Sequence, residues 1–184
     1  MSRIAQIKDT KPLIEVMKQM RSEGNHKVIH GNIYTVYLFY GASIYVAYDD
    51  ANVPVSINAT RFNTRDLAPW EPVMNCYSFY TIPSRRRQGL ATMLFRYTEA
   101  IARAAGCRSV RSLAQTWDGL YTHLSFGHDV WGMNEKKELL ISGHLGTAIP
   151  GVPPSIRKYV LDGAKPMTRE AAVELAKQSW ICAA

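Results

Sequence analysis

The stretch Ser84–Ala91 is the feature that most constrains how this chain can fold. An extended apolar run, Asn75–Ile82, leads into it through Pro83, and a strongly periodic segment, Gly89–Ala105, follows it. This pattern predicts a strand, a tight basic loop and a helix, in that order. Such an arrangement directs the backbone N–H groups of the loop and of the first helical turn towards one place, which favours an anion.

The loop itself contains the pattern Arg-x-x-Gly-x-Ala, formed by Arg86, Gly89 and Ala91. Glycine lets the backbone approach a ligand without a Cβ in the way, and a small alanine keeps the first helical turn open. A merely solvated basic turn is the alternative interpretation, but the flanking strand and helix favour a phosphate site. The loop lacks the Gly-Lys-Ser/Thr ending that a nucleoside triphosphate site needs.

Arg-x-x-Gly-x-Ala between a strand and a helix resembles the pyrophosphate-binding loop of the GNAT family of acyl-CoA-dependent N-acyltransferases. The resemblance implies acetyl-CoA as acyl donor, with no metal, and direct attack of an amine on the thioester. It implies that the strand end pairs with pantetheine, and that the loop and first helical turn contact the phosphates. The cofactor-binding residues expected on this basis are Phe79, Tyr80, Thr81, Ile82, Arg85, Arg86, Arg87, Gln88, Gly89, Leu90, Ala91 and Thr92.

A second segment, Tyr121–Phe126, resembles the family's Tyr-x-x-x-Gly-Phe segment, with Ser125 where glycine is usual. The resemblance implies that Tyr121 is the proton donor for the leaving thiolate, because a phenol can protonate a thiolate within hydrogen-bond reach. The alternative is that Tyr121 is an ordinary packing residue. The Ser125 departure weakens the match, although Gly127 can supply the same turn.

The base that would neutralise the amine is less well defined. Many members of the family carry a carboxylate on the strand before the loop, but Val73–Ile82 contains no Asp or Glu. The candidates are Glu71, which precedes that strand, and Asp118, one turn before Tyr121. His123 and His128 could also serve, although a lone histidine is more often a surface or core residue than a base. Asp118 near a helix start is equally explained as a favourable charge at the positive end of the helix dipole.

Hydrophobic periodicity along the whole chain predicts alternating strands and helices, with a polar loop over residues 25–32. In the helix after the basic loop, spacing predicts a buried face made by Leu90, Leu94, Tyr97, Ile101 and Ala105, with Glu99 outside. The predicted strands are 3–7, 43–48, 53–62, 73–82, 109–114, 130–133 and 138–142, and the predicted helices begin near residues 10, 33, 89, 117 and 168. Residues 33–40 fit a strand as well as a short helix, and the helix is preferred because Gly41 ends it and another strand follows.

This order of elements resembles the GNAT fold over about residues 3–145. The expected class is therefore α/β (α+β), with a central mixed, mostly antiparallel, splayed sheet flanked by helices. We expect an acyl-CoA-binding domain over residues 1–145. Glycines and prolines after it suggest a linker-like stretch, so residues 146–184 are expected to form a C-terminal helical extension, packed on the domain or used in homodimerisation.

Charge and cysteine content bear on partners and location. The net charge is +7, which favours a polyanionic partner such as CoA phosphates, a nucleic acid or an acidic protein. The three cysteines have no metal-ligand spacing, so free thiols in a reducing cytoplasm are the simplest interpretation. Because no apolar run approaches the length that spans a bilayer, no membrane association is expected.

The most specific hypothesis is thus an N-acetyltransferase acting on a small-molecule or macromolecular amine. The basic charge keeps open a second enzyme hypothesis, a GNAT-fold protein that modifies nucleobases in DNA, as some phage proteins do. The missing strand carboxylate keeps open a third, a catalytically degenerate module that binds CoA without turnover. The basic loop bears on the binding of the acyl donor and does not identify the acceptor of the acyl group.

Overall fold

The computed structural model of the protein describes residues 3–21, 27–63, 72–146, 151–161 and 163–180. These ranges form a mixed α/β fold of the predicted class. The strands are β1 (Arg3–Ile7), β2 (Ser43–Tyr48), β3 (Pro54–Asn63), β4 (Val73–Thr81), β5 (Ser109–Ala114), β6 (Asp129–Met133) and β7 (Leu139–His144). The helices are α1 (Thr10–Arg21), α2 (Lys27–Tyr40), α3 (Leu90–Ala104), α4 (Trp117–Ser125) and α5 (Arg169–Trp180).

The described strands form one open, seven-stranded sheet in the order β1-β2-β3-β4-β5-β7-β6. The ladders β1–β2, β2–β3, β5–β7 and β6–β7 are antiparallel, which confirms the expected class of sheet. The last strand in sequence, β7, lies between β5 and β6, so it is covered by a neighbour on each side. A splay within the sheet remains a prediction.

The chain divides into two compact units, of which the first comprises Met1–Arg61 and Cys76–Ile101. Its core forms where the apolar stripes of α1 and α2 pack on β2 and β3. Leu13, Ile44 and Val46 are completely buried there. Nearly every residue of β2, and of β3 as far as Thr60, is buried, so both faces of these strands are covered.

The second unit comprises Phe62–Asn75 and Ala102–Ala184, and its sheet has a core on each face. On one face α4 and α5 pack against Ala114, Val130 and Ile141. On the other, Trp131 and Leu140 are buried with Ile156, which belongs to a 3-10 helix at Pro154–Tyr159. Neighbouring residues such as Leu140 and Ile141 thus face opposite cores, as strand alternation requires.

Helix α5 begins next to Thr168, where the sequence predicts the start of the last helix. Thr168 Oγ1 accepts the Ala171 N–H at 3.2 Å, a helix cap that satisfies one of the otherwise unpaired first N–H groups. Just before it, the Met167 N–H donates to the Val130 carbonyl oxygen at 2.7 Å, tying the helix start to β6. Whether residues 146–184 should be called a separate extension, and whether they form a dimer contact, remain predictions.

Two sequence expectations are wrong in detail. Residues 27–32 belong to α2 and are not a loop, because a polar composition does not by itself prevent a helix that is held by buried residues further along, here Ile33 and Val36. The buried face of α3 is also shifted. Tyr97 is 43% exposed, whereas Phe95 and Glu99 are buried, because Phe95 packs on Phe79 and Glu99 pairs with the Arg96 guanidinium at 2.7 Å.

Two kinds of feature are absent from the described ranges. None of their helices combines the length and apolar character needed to cross a membrane. Nor do these ranges bring together three His, Cys, Asp or Glu side chains in a way that would hold a metal ion. The cysteines Cys76 and Cys107 are buried free thiols, and burial raises the pKa of the Cys107 thiol, which favours its neutral form.

Candidate active site

The connection between β4 and α3 reverses direction within a few residues. It opens with a 3-10 helix at Pro83–Arg85, closed by the Arg86 N–H donating to the Pro83 carbonyl oxygen at 3.3 Å. Arg87 and Gly89 then adopt left-handed backbone conformations, with φ of +61° and +76°. Glycine adopts that conformation freely, whereas a non-glycine residue does so at a cost in free energy. The loop therefore maintains some backbone strain at Arg87.

The first turn of α3 presents backbone N–H groups without helical partners. The first helical hydrogen bond runs from the Met93 N–H to the Gly89 carbonyl oxygen at 2.8 Å. The N–H groups of Leu90, Ala91 and Thr92 precede it and so have no acceptor one turn back. A Cβ added at Gly89 would meet no atom within 4 Å, so the space beside these donors is open. This is a helix N-terminus suited to an anion.

The three consecutive arginines make different interactions. Arg85 Nη2 pairs with Asp49 Oδ2 at 3.0 Å, while Asp49 Oδ1 also accepts the N–H groups of Ala51 and Val53 in the β2–β3 turn. Arg86 Nε donates to the Thr81 carbonyl oxygen at 3.2 Å. Arg87 is exposed and forms no hydrogen bond or ion pair with the described part of the chain. Of the three, Arg87 is the one whose guanidinium these contacts leave available.

The end of β4 is fixed firmly before the loop begins. Ser56 Oγ on β3 lies 3.1 Å from the Tyr80 carbonyl oxygen and 2.9 Å from Thr81 Oγ1. The Ile82 N–H donates to the Val55 carbonyl oxygen at 3.1 Å. Tyr80 and Ile82 are both buried, whereas every residue from Pro83 to Gly89 is exposed. The loop is thus an exposed turn on a rigid strand end.

In the second unit, α4 carries Tyr121 and Asp118. Thr116 caps the helix, its Oγ1 accepting the Gly119 N–H at 3.2 Å, and Leu120 fixes the helix in the core. Asp118 is exposed in the first turn, where its charge is favourable. Tyr121 is 44% exposed, and its ring stacks on Trp117 with centroids 6.0 Å apart and an interplanar angle of 27°.

Trp117 makes a second aromatic contact, which the sequence did not reveal. The ring of Trp180 on α5 meets it edge-on, at 5.2 Å between centroids and 82° between planes. Trp180 Nε1 also donates to the Lys137 carbonyl oxygen at 2.8 Å. The sequence indicates that Trp180 lies on the apolar side of the last helix, but this pattern does not identify the residue that Trp180 contacts.

A buried pair of histidines near the end of α4 is a further feature without a clear sequence signal. The Nδ1 atoms of His123 and His128 lie 3.0 Å apart, so one ring donates and the other accepts. Burial, together with the nearby charge of His128, lowers the pKa of His123 to about 3, which keeps it neutral. A Cβ at Gly143 would lie 2.2 Å from His128 Cδ2, so the ring occupies the space that a side chain there would need.

The helix end after Tyr121 accommodates the departure from the family pattern. Ser125 Oγ donates to the Thr122 carbonyl oxygen at 2.7 Å, and Ser125 is the last residue of α4. Gly127 has φ of +75° and so supplies the left-handed residue of the turn. The other predicted base, Glu71, lies outside the described residues.

Residues 15–125 match the model of the family described as Acetyltransferase (GNAT) family. That range covers more than half of the sequence, and the chain belongs to the GNAT acetyltransferase family. A comparison with curated proteins found no match to the sequence. The family assignment and the fold confirm the predicted GNAT family and fold class, while the roles assigned to residues of the motifs at Arg86–Ala91 and Tyr121–Phe126 remain predictions.

Many solved structures share the fold. The ribosomal-protein-S18-alanine N-acetyltransferase from Escherichia coli is 10% identical, with a TM-score of 0.59 over 83% of this chain and 99% of that one. A GNAT family acetyltransferase from Brucella melitensis in complex with acetyl-CoA is 16% identical, with a TM-score of 0.56 over 82% and 92%. The PaiA N-acetyltransferase from Thermoplasma acidophilum in complex with coenzyme A is 13% identical, with a TM-score of 0.54 over 78% and 99%. At these identities the likeness shows the fold alone.

The lowered pKa of His123 predicts a pH dependence of stability. Below its ordinary pKa of about 6.5 the unfolded chain takes up a proton that the folded chain refuses, so stability falls as pH decreases towards about 3. We expect the free energy of unfolding to fall by about 2 kcal/mol between pH 7 and pH 5 through this group. Urea unfolding of the natural protein and of His123→Gln measures it. An equal pH dependence in both proteins would contradict the assignment.

Proposed function

We propose that the protein is an N-acetyltransferase that moves an acetyl group from acetyl-CoA to an amine. Membership of the GNAT acetyltransferase family carries the proposal. The open N-terminus of α3 beside Gly89 supports it, because its unpaired N–H groups suit a pyrophosphate. The likeness to structures solved with coenzyme A or acetyl-CoA is consistent with it.

In this proposal the backbone of the basic loop binds the donor phosphates. The N–H groups from Arg87 to Thr92 donate to the pyrophosphate, and the helix dipole adds a favourable field. The Arg87 guanidinium is placed to reach a further phosphate, since it has no partner among the described residues. Arg85 acts differently, because its pairing with Asp49 holds the loop to the β2–β3 turn.

The pantetheine arm pairs with backbone groups of Phe79–Ile82 in the manner of a short additional strand. The contacts within β3 and β4 limit which groups are available. The Tyr80 carbonyl oxygen already accepts from Ser56 Oγ, and the Ile82 N–H already donates to Val55. The Thr81 carbonyl oxygen likewise accepts from Arg86 Nε, so in this proposal a pantetheine amide pairs with the backbone of Phe79 and the N–H of Thr81.

The chemistry requires two proton movements around one acyl transfer. The neutral amine nitrogen attacks the thioester carbonyl carbon, and the carbon–sulfur bond breaks as the tetrahedral intermediate collapses. Tyr121 donates its phenolic proton to the leaving CoA thiolate. The amine proton passes to a base, for which Asp118 is the candidate on α4 and Glu71 the candidate before β4. Because β4 carries no carboxylate, a base acting through water is the simplest form of this step.

The wild-type protein tests the proposal most directly. We expect acetyl-CoA to bind in calorimetric titration, and thiol release to accelerate when a primary amine is added from a panel of polyamines, amino acids, amino sugars and peptides. Binding without turnover on any amine would instead indicate a CoA-binding module. Acetyl transfer to DNA, with binding that weakens steeply as salt rises, would indicate nucleobase modification.

Gly89→Val tests the donor loop. A side chain at this position projects into the open space where the pyrophosphate is proposed to bind, so we expect the acetyl-CoA Kd to rise about 100-fold. The matched control is Gly106→Val, because Gly106 follows the other end of α3, has φ of +83° and also meets no atom within 4 Å. Both variants carry the same backbone strain. Equal Kd values for the two variants would refute the loop assignment.

Tyr121→Phe tests the proton donor. Removing a general acid typically costs about 100-fold or more in turnover, whereas the ring and its stacking on Trp117 are kept. We therefore expect kcat to fall about 100-fold while the acetyl-CoA Kd stays within about 2-fold. Steady-state kinetics with the best amine of the panel and calorimetry with acetyl-CoA measure the two effects. Unchanged kcat would make Tyr121 a packing residue.

A further inference from the structure

We propose that Trp180, on the last helix, is a positioning residue for Tyr121. The inference rests on the proposed function, because it assigns Trp180 a role through the proton donor. Trp180 lies beyond residues 15–125, the range that matches the family model. The last helix would thus be a part of this chain that sets the geometry of a reaction carried out by the family domain.

Few contacts fix the side chain of Tyr121. Its side chain is 44% exposed, and within the described part of the chain its hydroxyl forms no hydrogen bond. Its ring contact in these ranges is the stack on Trp117. An exposed aromatic side chain without a hydrogen bond samples several rotamers, so the direction of the hydroxyl depends on this stack.

Trp117 itself is held from the C-terminal helix. The Trp180 ring meets it nearly perpendicular, at 82° and 5.2 Å, which is the favourable edge-to-face geometry for two aromatic rings. Trp180 therefore limits the orientations open to Trp117. A change in the Trp117 ring plane tilts the surface on which Tyr121 lies.

Trp180 is in turn anchored to a rigid turn. Its Nε1 donates to the Lys137 carbonyl oxygen at 2.8 Å. Within that turn, Asn134 Oδ1 accepts the N–H groups of Lys136 and Glu138 at 2.9 and 3.0 Å. The indole is thus fixed by a hydrogen bond at one end and by the Trp117 ring at the other.

The helix that carries Trp180 is seated closely on the sheet. Ala172 and Ala176 are fully buried against the cluster that contains Leu120 of α4 and Ile141 of β7. Small residues permit close approach, so the helix cannot shift without opening a gap. The chain of contacts therefore runs from the sheet through α5 and Trp180 to Trp117 and then to Tyr121.

The test is a double-mutant cycle between Trp180 and Tyr121. Trp180→Ala should lower kcat about 3- to 10-fold in the natural background, the range expected for loss of one aromatic contact. In the Tyr121→Phe background it should change kcat less than about 2-fold, because no proton donor is left to position. The acetyl-CoA Kd should stay within about 2-fold throughout.

Two further variants separate positioning from loss of fold. Trp180→Phe retains an aromatic ring and should keep most of the turnover, whereas Trp180→Leu retains apolar volume alone and should behave like Trp180→Ala. The matched control is Val173→Ala, which removes apolar volume from the same cluster and should lower the melting temperature without lowering kcat. All assays use the best amine of the panel, well below the melting temperature of each variant.

The outcomes are distinct. Equal loss of kcat from Trp180→Ala in both backgrounds, or an equal loss from Val173→Ala, would overturn the inference and make α5 a structural element only. If Tyr121→Phe itself left kcat unchanged, the proposed proton donor would fail, and the positioning role would fail with it. A normal loss from Tyr121→Phe with no loss from Trp180→Ala would overturn the inference alone.

Discussion

The unpaired N–H groups at the start of α3 are the constraint on which the proposed donor site depends. The first N–H groups of a helix have no acceptor one turn back and need a partner, and an anionic ligand supplies one. Neighbouring residues keep this helix start open and hold the preceding strand in place. Gly89 leaves the approach open, and the contacts of Ser56 hold the end of β4, so that the exposed turn leaves it at a fixed point.

A site that binds its ligand through the backbone explains why the family and the fold class could be predicted largely from one short stretch of sequence. Binding through the backbone needs few particular side chains, so a glycine and a small residue in the right local order identify it. Solved structures that are only 10–16% identical to this chain share its fold. Strand β5 and the beginning of α4 were predicted at their observed bounds, and for α4 the capping Thr116 determines the start.

Other parts of the structure depend on side-chain pairs that the apolar pattern does not show, and there prediction was limited. The buried face of α3 was misassigned because Glu99, although charged, is buried and pairs with Arg96, three residues earlier in the same helix. The contact of Trp117 with Trp180 joins residues far apart in the chain, and the His123–His128 pair needs a glycine on β7 to make room. The assignments of the base and of the acceptor have the same limitation, since they depend on groups that no motif specifies.

The ion pair between Arg85 and Asp49 has a consequence for how the protein responds to ionic strength. Three adjacent arginines suggest a strongly positive loop, but one of those charges is already neutralised at 3.0 Å by a carboxylate. Long-range attraction of a phosphate ligand depends on the net local charge and is screened within about 8 Å at physiological salt. The long-range attraction that the loop exerts on the donor is therefore smaller than that of three free arginines, and added salt weakens it less than the sequence alone would suggest.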